Sequence, residues 1–343
     1  MTSPIAPALA GLSAAIAGLT AALGSRVDVP GLGITDRRGL LALQTPGRFS
    51  ANRACGLFRA ADGWIAVNLA REEDRELVPA WLGIDEAPDA WAAIRRHACR
   101  RAAADLIQDA VLLGLPACRV GEVQSDELAP PHLRLASAKP RPRAGPLRVI
   151  DLSALWAGPM CGAVLAEMGA EVTKVESRTR PDPTRTSTPE FFRRLNGRKA
   201  ALALNFAAPE GRARLKAAFL SADVVITSAR PRAFAGLGLD PQEIMAANPS
   251  LVWVAITGYG WTGAAGERVA FGDDAAAAGG LVRWTAGGEP RFLGDALSDP
   301  VTGLAAALGA LQALEAGGGV LVDAAMARAA AAAASLIRLE AAA

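Results

Sequence analysis

The 343 residues carry 36 Lys and Arg against 34 Asp and Glu, a formal net charge of +2, with 51% apolar residues. Such a chain buries enough surface for two cores, and no polar segment is long enough to suggest disorder. No block of like charge marks a nucleic-acid surface.

Cys55, Cys99, Cys118 and Cys161 are widely spaced, form no CxxC pair and have only His97 and His132 to join them. That spacing argues against a metal site and a disulfide scaffold, and fits a reducing cytoplasm. Ile5, Leu9, Leu12, Ile16, Leu19 and Leu23 recur at helical spacing, with Ala, Gly, Ser and Thr between them. They predict one face of a packed helix rather than a membrane span or signal peptide.

The stretch 28–45 is rich in Gly and turn residues, and Cys55 to Leu69 reads as two strands around Ala61-Asp62-Gly63. Helices are predicted at Glu72–Leu82, Ala90–Arg101 and Ala103–Leu113, so residues 1–128 read as a small α+β domain with an N-terminal helix. The Pro- and Arg-rich segment 129–146 reads as an extended linker.

From residue 147 to residue 343 strands and helices alternate. Leu147 to Glu176 has the length of a βαβ unit, which packs only in a parallel sheet with a right-handed crossover. Further strands are predicted at Ala201–Leu204, Asp223–Thr227, Leu251–Thr257 and Gly319–Asp323, with helices at Pro209–Leu220, Pro241–Ala247, Pro300–Leu314 and Met326–Leu339. The fold class is therefore α/β: a Rossmann-like, doubly wound, mostly parallel sheet preceded by the small domain.

Ligands of such sheets sit at the carboxyl ends of the strands, which directs attention to Asp151, Ser153, Gly158, Glu176 and Arg178. The loop LSALWAGPMCG carries no GxGxxG, which argues against a nicotinamide dinucleotide. Arg178, Arg180 and Arg185, then Arg198 and Lys199, then Arg230 and Arg232, follow strand ends. They fit either a polyphosphate holder or a solvated rim. Three glycines in Thr257-Gly-Tyr-Gly-Trp-Thr-Gly263 permit close approach of backbone N–H groups to a ligand. Pro300 suits the first position of a helix, making Asp299 the expected N-cap, where the dipole favours a carboxylate. With no His after residue 146, a Ser-His-Asp hydrolase has few options.

RVIDLSALWAGPMCGAVLAEMGAEVTKVES, RRLNGRKAALALNF, ADVVITSARPRAFAGLGLD, NPSLVWVAITGYGWTG, SDPVTGLAAALGALQAL and GGGVLVDAAMARAA follow one another in order. This succession resembles the class III CoA-transferases, the formyl-CoA and carnitine CoA-transferase group that includes α-methylacyl-CoA racemases. The resemblance implies a catalytic Asp at Asp299, with Asp295 as the fallback, and backbone N–H donors near Gly258 and Gly260. It places CoA contacts at Ala157, Gly158, Arg178, Asn196, Lys199 and Arg230. It implies acyl-CoA and a small carboxylic acid as substrates, no metal, and a homodimer, interlocked in relatives. GLFRAADGWIAVNLAREEDRELVPAWLG resembles the small domain that follows the catalytic Asp in that family, whereas here it comes first, so the order looks permuted. Three functions follow as expectations: a CoA-transferase working through aspartyl anhydride and aspartyl-CoA; a racemase or other acyl-CoA isomerase; and a non-catalytic CoA-binding protein or partner subunit. Racemases of the family place a His where Phe271-Gly-Asp-Asp274 stands, which disfavours the second.

Overall fold

The computed structural model describes residues 3–136 and 145–342, with side chains to residue 338. Residues 137–144 of the expected linker lie outside the described residues. The first helix, α1 (Ala6–Ala22), buries Leu12 and Ile16 of the predicted face together with Ala8 and Ala17, whereas Leu9 and Leu19 are half-buried and Leu23, past its end, is exposed.

The hairpin forms where Asp62-Gly63 places it. Strands β1 (Cys55–Arg59) and β2 (Trp64–Asn68) pair antiparallel, Arg59 opposite Trp64. The single helix expected over 72–82 divides into α2 (Glu72–Glu76) and α3 (Val78–Leu82). Pro79 carries no N–H for a continuous ladder and suits the start of a second helix. Helices α4 (Ala90–His97) and α5 (Ala103–Leu113) follow, and β3 (Ala117–Arg119) completes a three-stranded sheet. Phe58, Ile65, Val67, Trp81, Ile94 and Leu106 lie in the core between this sheet and its helices.

The expected linker contains a strand, β4 (His132–Arg134), which pairs antiparallel with the last strand of the large sheet. Pro130 and Pro131 precede it, so its own N–H groups are intact. The βαβ unit is β5 (Arg148–Leu152), α6 (Ala157–Glu167) and β6 (Glu171–Ser177). Next come α7 (Thr184–Ser187), α8 (Pro189–Asn196), β7 (Ala200–Leu204), α9 (Pro209–Ser221), β8 (Val224–Thr227), α10 (Pro231–Leu237), α11 (Pro241–Ala247) and β9 (Val252–Thr257). The chain then forms α12 (Gly272–Ala278), a hairpin of β10 (Val282–Trp284) and β11 (Pro290–Phe292), α13 (Ser298–Glu315), β12 (Val320–Ala325) and α14 (Met326–Ala342).

The seven-stranded sheet has the order β4-β12-β9-β8-β5-β6-β7, with every pair parallel except the β4 edge. Its six parallel strands run 3-2-1-4-5-6 in chain order, the doubly wound arrangement, whose switch point lies between β5 and β8. One face is covered by α6, α13 and α14, and α1 lies in the same core through Ile5, Leu12 and Ile16. The N-terminal helix expected with the small domain thus packs on the large one, because its apolar face finds its partner in α13. The other face buries Phe219, Phe234 and Trp253. Cys55, Leu57, Ala66 and Cys118 of the small sheet meet Ala277, Ala278 and Ala327 in a joint core.

Helices α6 and α13 cross closely at Gly303. A Cβ there would stand 2.8 Å from the Ala157 carbonyl oxygen and 2.8 Å from Met160 Sδ. In an exposed helix, Gly→Ala stabilises by about 1 kcal/mol. Here overpacking against backbone dominates, and we expect Gly303→Ala to cost about 1–2 kcal/mol in urea unfolding. A gain in stability would contradict the close crossing.

Candidate active site

The crossing brings the first turn of α13 to the first turn of α6. Asp299 lies inside α13, which begins at Ser298, so it is not the cap expected from Pro300. The turn starts earlier because Ala296 adopts a φ of 46° and accepts the Asp299 N–H at 2.9 Å. Asp299 is 9% exposed, and its Oδ1 accepts the Ala157 N–H at 3.3 Å. Gly272, at the start of α12, covers the other oxygen, and a Cβ at that position would overlap Asp299 Oδ2.

Two further carboxylates adjoin it. Asp273 Oδ1 accepts the Ala296 N–H at 2.7 Å, and Asp273 Oδ2 accepts from Asn52 Nδ2 at 3.1 Å. Asp295 is paired with Arg37 through both its oxygens, Nε at 2.6 Å and Nη2 at 3.1 Å. Burial pushes the Asp299 carboxyl up to about 7, against the pull of Arg37 and with a smaller push from Asp273. Burial and Asp295 raise Asp273 to about 6. The carboxylate preference expected from the helix dipole at Asp299 is therefore overcome by desolvation.

The switch-point loop after β5 is held by a buried polar network. Lys199 Nζ donates to Asp151 Oδ2 at 2.7 Å, to the Pro159 carbonyl at 2.8 Å and to Asn196 Oδ1 at 2.9 Å. Burial would raise Asp151, but Lys199 and Lys174 outweigh it and hold this carboxyl down at about 2. Ser153 Oγ donates to Asp151, and Lys174 donates to the Ser153 carbonyl while pairing with Asp182 at 3.2 Å. Lys199 and Asn196, expected at CoA, thus turn inward and fasten α6 to β5.

The other candidates occupy the carboxyl edge in different ways. Ala157 and Gly158 form the buried start of α6. Arg178 is exposed, its Nε 3.4 Å from the Ala203 carbonyl oxygen. Arg230 is half-buried at the start of α10 and donates to the Glu267 carbonyl at 3.2 Å. Arg185 is spent on Glu176, Arg198 on Glu167 and Arg232 on Glu267. Gly258 lies against Ala270, and its carbonyl accepts the Ala327 N–H at 3.0 Å. Gly260 adjoins Asp323 and Arg328. The donor that reaches Asp299 is the Ala157 N–H rather than one from this glycine loop. Among the described residues no cluster of three or more His, Cys, Asp and Glu could hold a metal ion, and no helix is long and apolar enough to cross a membrane.

A family model for CoA-transferase family III matches residues 146–342. The chain belongs to this family. Succinyl-CoA–D-citramalate CoA-transferase of Chloroflexus aurantiacus is 34% identical over 206 residues, 55% of this chain and 50% of that protein. Human succinyl-CoA:glutarate CoA-transferase is 32% identical over 190 residues, 52% of this chain and 43% of its own. Among solved structures, a CAIB/BAIF family protein from Brucella suis superimposes with a TM-score of 0.50 at 32% identity, covering 54% of this chain and 53% of its own. A protein of Mycobacterium tuberculosis does so with 0.51 at 29% identity, covering 57% and 58%. The chain spans about half the length of the curated relatives it matches.

Arg37 and Asn52 beside these carboxylates carry no sequence signal, and Trp156 sits in the LSALWAGPMCG loop without being marked as a site residue. They come from turn-rich or loop segments and meet α12 and α13 only by folding. The neighbouring Asp274 accepts from Asn68 Nδ2 at 3.0 Å and from the Phe271 N–H at 2.9 Å, and its Oδ2 is buried without a partner. Burial pushes it up to about 8 from 3.8. A raised acid contributes its full stability below its unfolded value and loses it as pH climbs from there to the folded value. We expect the urea midpoint to fall between about pH 4 and about pH 8, and Asp274→Asn to flatten that fall. An unchanged slope in the variant would refute a protonated Asp274.

Proposed function

We propose that the chain moves CoA between carboxylic acids, with Asp299 as the nucleophile. The observation carrying this reading is the Asp299 carboxyl, buried at the Ala157 N–H beside the switch-point loop, within the part of the chain that matches the family. A carboxylate oxygen of Asp299 attacks the thioester carbonyl of an acyl-CoA. The C–S bond breaks, leaving a mixed anhydride and CoA thiolate. The thiolate then attacks the aspartyl carbonyl, expelling the donor acid and leaving an aspartyl-CoA thioester. The acceptor carboxylate repeats the two steps in reverse, and CoA leaves on the new acid. Backbone N–H groups at the start of α6 and in the 258–263 loop are the candidates for holding the oxyanions.

Arg178 and Arg230 are the cations that we assign to the CoA phosphates, since Arg185, Arg198 and Arg232 already serve carboxylates. Relatives named for succinyl-CoA support small dicarboxylic acids as the substrate class. Four free cysteines fit a reducing cytoplasm, and a homodimer built around the permuted order is the assembly we expect. The chain read as a small domain (1–128), a connector (129–146) and a CoA domain (147–343) keeps its place in this proposal, with α1 docked on the third part.

A second reading draws on Asp273. Two adjoining buried carboxyls could supply the acid and base of α-proton exchange in an acyl-CoA. One experiment separates the readings: incubation with succinyl-CoA, trapping with hydroxylamine, and mass spectrometry of the peptides. We expect hydroxamate at Asp299, its absence in Asp299→Asn, and a rate that falls as pH drops below about 7, where the carboxyl takes up its proton. Deuterium entering the α-position from heavy water without any trapped peptide would instead favour proton exchange.

A further inference from the structure

Three buried carboxylates, Asp273, Asp295 and Asp299, share one cation, Arg37. Its guanidinium engages both oxygens of Asp295 in a fork-to-fork pair, and the two side chains are 14% and 3% exposed. The same guanidinium lies over the Trp156 ring, 4.7 Å from its centroid. Trp156 Nε1 in turn donates to the Ile34 carbonyl at 2.8 Å, three residues before Arg37. Arg37 is thus fixed from two sides: by Asp295 on the loop before α13, and by Trp156 immediately ahead of the Ala157 donor.

Resting on the reading of Asp299 as the nucleophile, we propose that Arg37 is the positioning residue that assigns roles among these carboxylates. Its bidentate grip occupies Asp295 and leaves Asp299 as a carboxylate that no cation among the described residues pairs directly. A planar fork with five donors matches a carboxylate edge in a way that an ammonium does not. An Asp295 with both oxygens bound is a poor attacking group, although it lies only four residues from Asp299. The charged groups facing Asp299 are Arg37, Asp273 and Asp295. Of these, Arg37 favours its ionised form and the other two oppose it. Asn52, from the same N-terminal part of the chain, holds Asp273 in the same arrangement.

The sign of the effect separates this role from a purely structural one. Removing Arg37 strips the cation from the cluster, so Asp299 should ionise at higher pH. Removing the Asp295 charge frees Arg37 to act on Asp299, so Asp299 should ionise at lower pH. The full-length protein, labelled with 13C at the aspartate carboxyl carbon, would be titrated by NMR, the Asp299 signal being assigned by its loss in Asp299→Asn. We expect Arg37→Met to raise the Asp299 midpoint by about one pH unit, a tenfold change in the ratio of ionised to protonated form at fixed pH, and Asp295→Asn to lower it. Arg37→Lys should keep the midpoint near that of the unmodified protein while admitting hydroxylamine trapping at Asp295.

The proposal fails if Asp295→Asn leaves the Asp299 midpoint in place, a readout that stands even where Arg37→Met does not fold. It also fails if trapping in the native protein falls on Asp295. Opposite shifts in the two variants without any trapped peptide would leave the role of Arg37 standing and overturn the transferase reading.

Discussion

The close crossing of α6 and α13 is the constraint on which the rest of the site depends. Because Gly303 presents no side chain to α6, the two helices approach until the Ala157 N–H reaches Asp299. That approach removes water from the carboxyl, and the lost hydration lifts it to about 7. A carboxyl on an exposed helix would ionise far lower and would attack less readily. Packing and reactivity therefore have one origin here: the geometry that excludes solvent also keeps Asp299 basic at neutral pH.

The buried network under the switch-point loop does the opposite work. Lys199 and Lys174 give Asp151 more than its burial removes, so that carboxyl stays charged and inert. Its bonds tie β5, α6 and the segment following α8 into one rigid shelf. Two carboxyls buried in the same domain thus part company according to the cations around them. Asp151 meets two lysines and serves structure, whereas Asp299 shares one arginine with two other acids.

Much of the fold was legible in the residues. The βαβ unit at Leu147–Glu176, the Asp62-Gly63 hairpin and the apolar strand ending at Thr257 each follow from local pattern, and the structure has them all. Features decided by distant partners were not legible. Pro130 and Pro131 made residues 129–146 read as a connector, yet β4 forms because an edge strand needs only one neighbour. Asp299 read as a cap because Pro300 follows it, but the backbone at Ala296 begins the turn sooner. Asn196 and Lys199 are CoA contacts by the resemblance alone; only the structure puts Asp151 beneath the Lys199 ammonium. Arg37 stands 258 positions from Asp295, and no spacing rule joins them.

The antiparallel strand β4 has a consequence for how this protein can be divided. By covering the outer side of β12, it closes an edge whose residues Val320, Leu321 and Val322 are almost entirely buried. Bare β12 would offer a straight, apolar row of unpaired amides, the kind of edge on which chains stack into aggregates. Helix α1 likewise shields the apolar surface of α13 from the far end of the chain. The part of the molecule with the family's likeness thus has its sheet edge and an apolar helix face covered by two short pieces that precede it, and the order of the chain is built into the sheet itself.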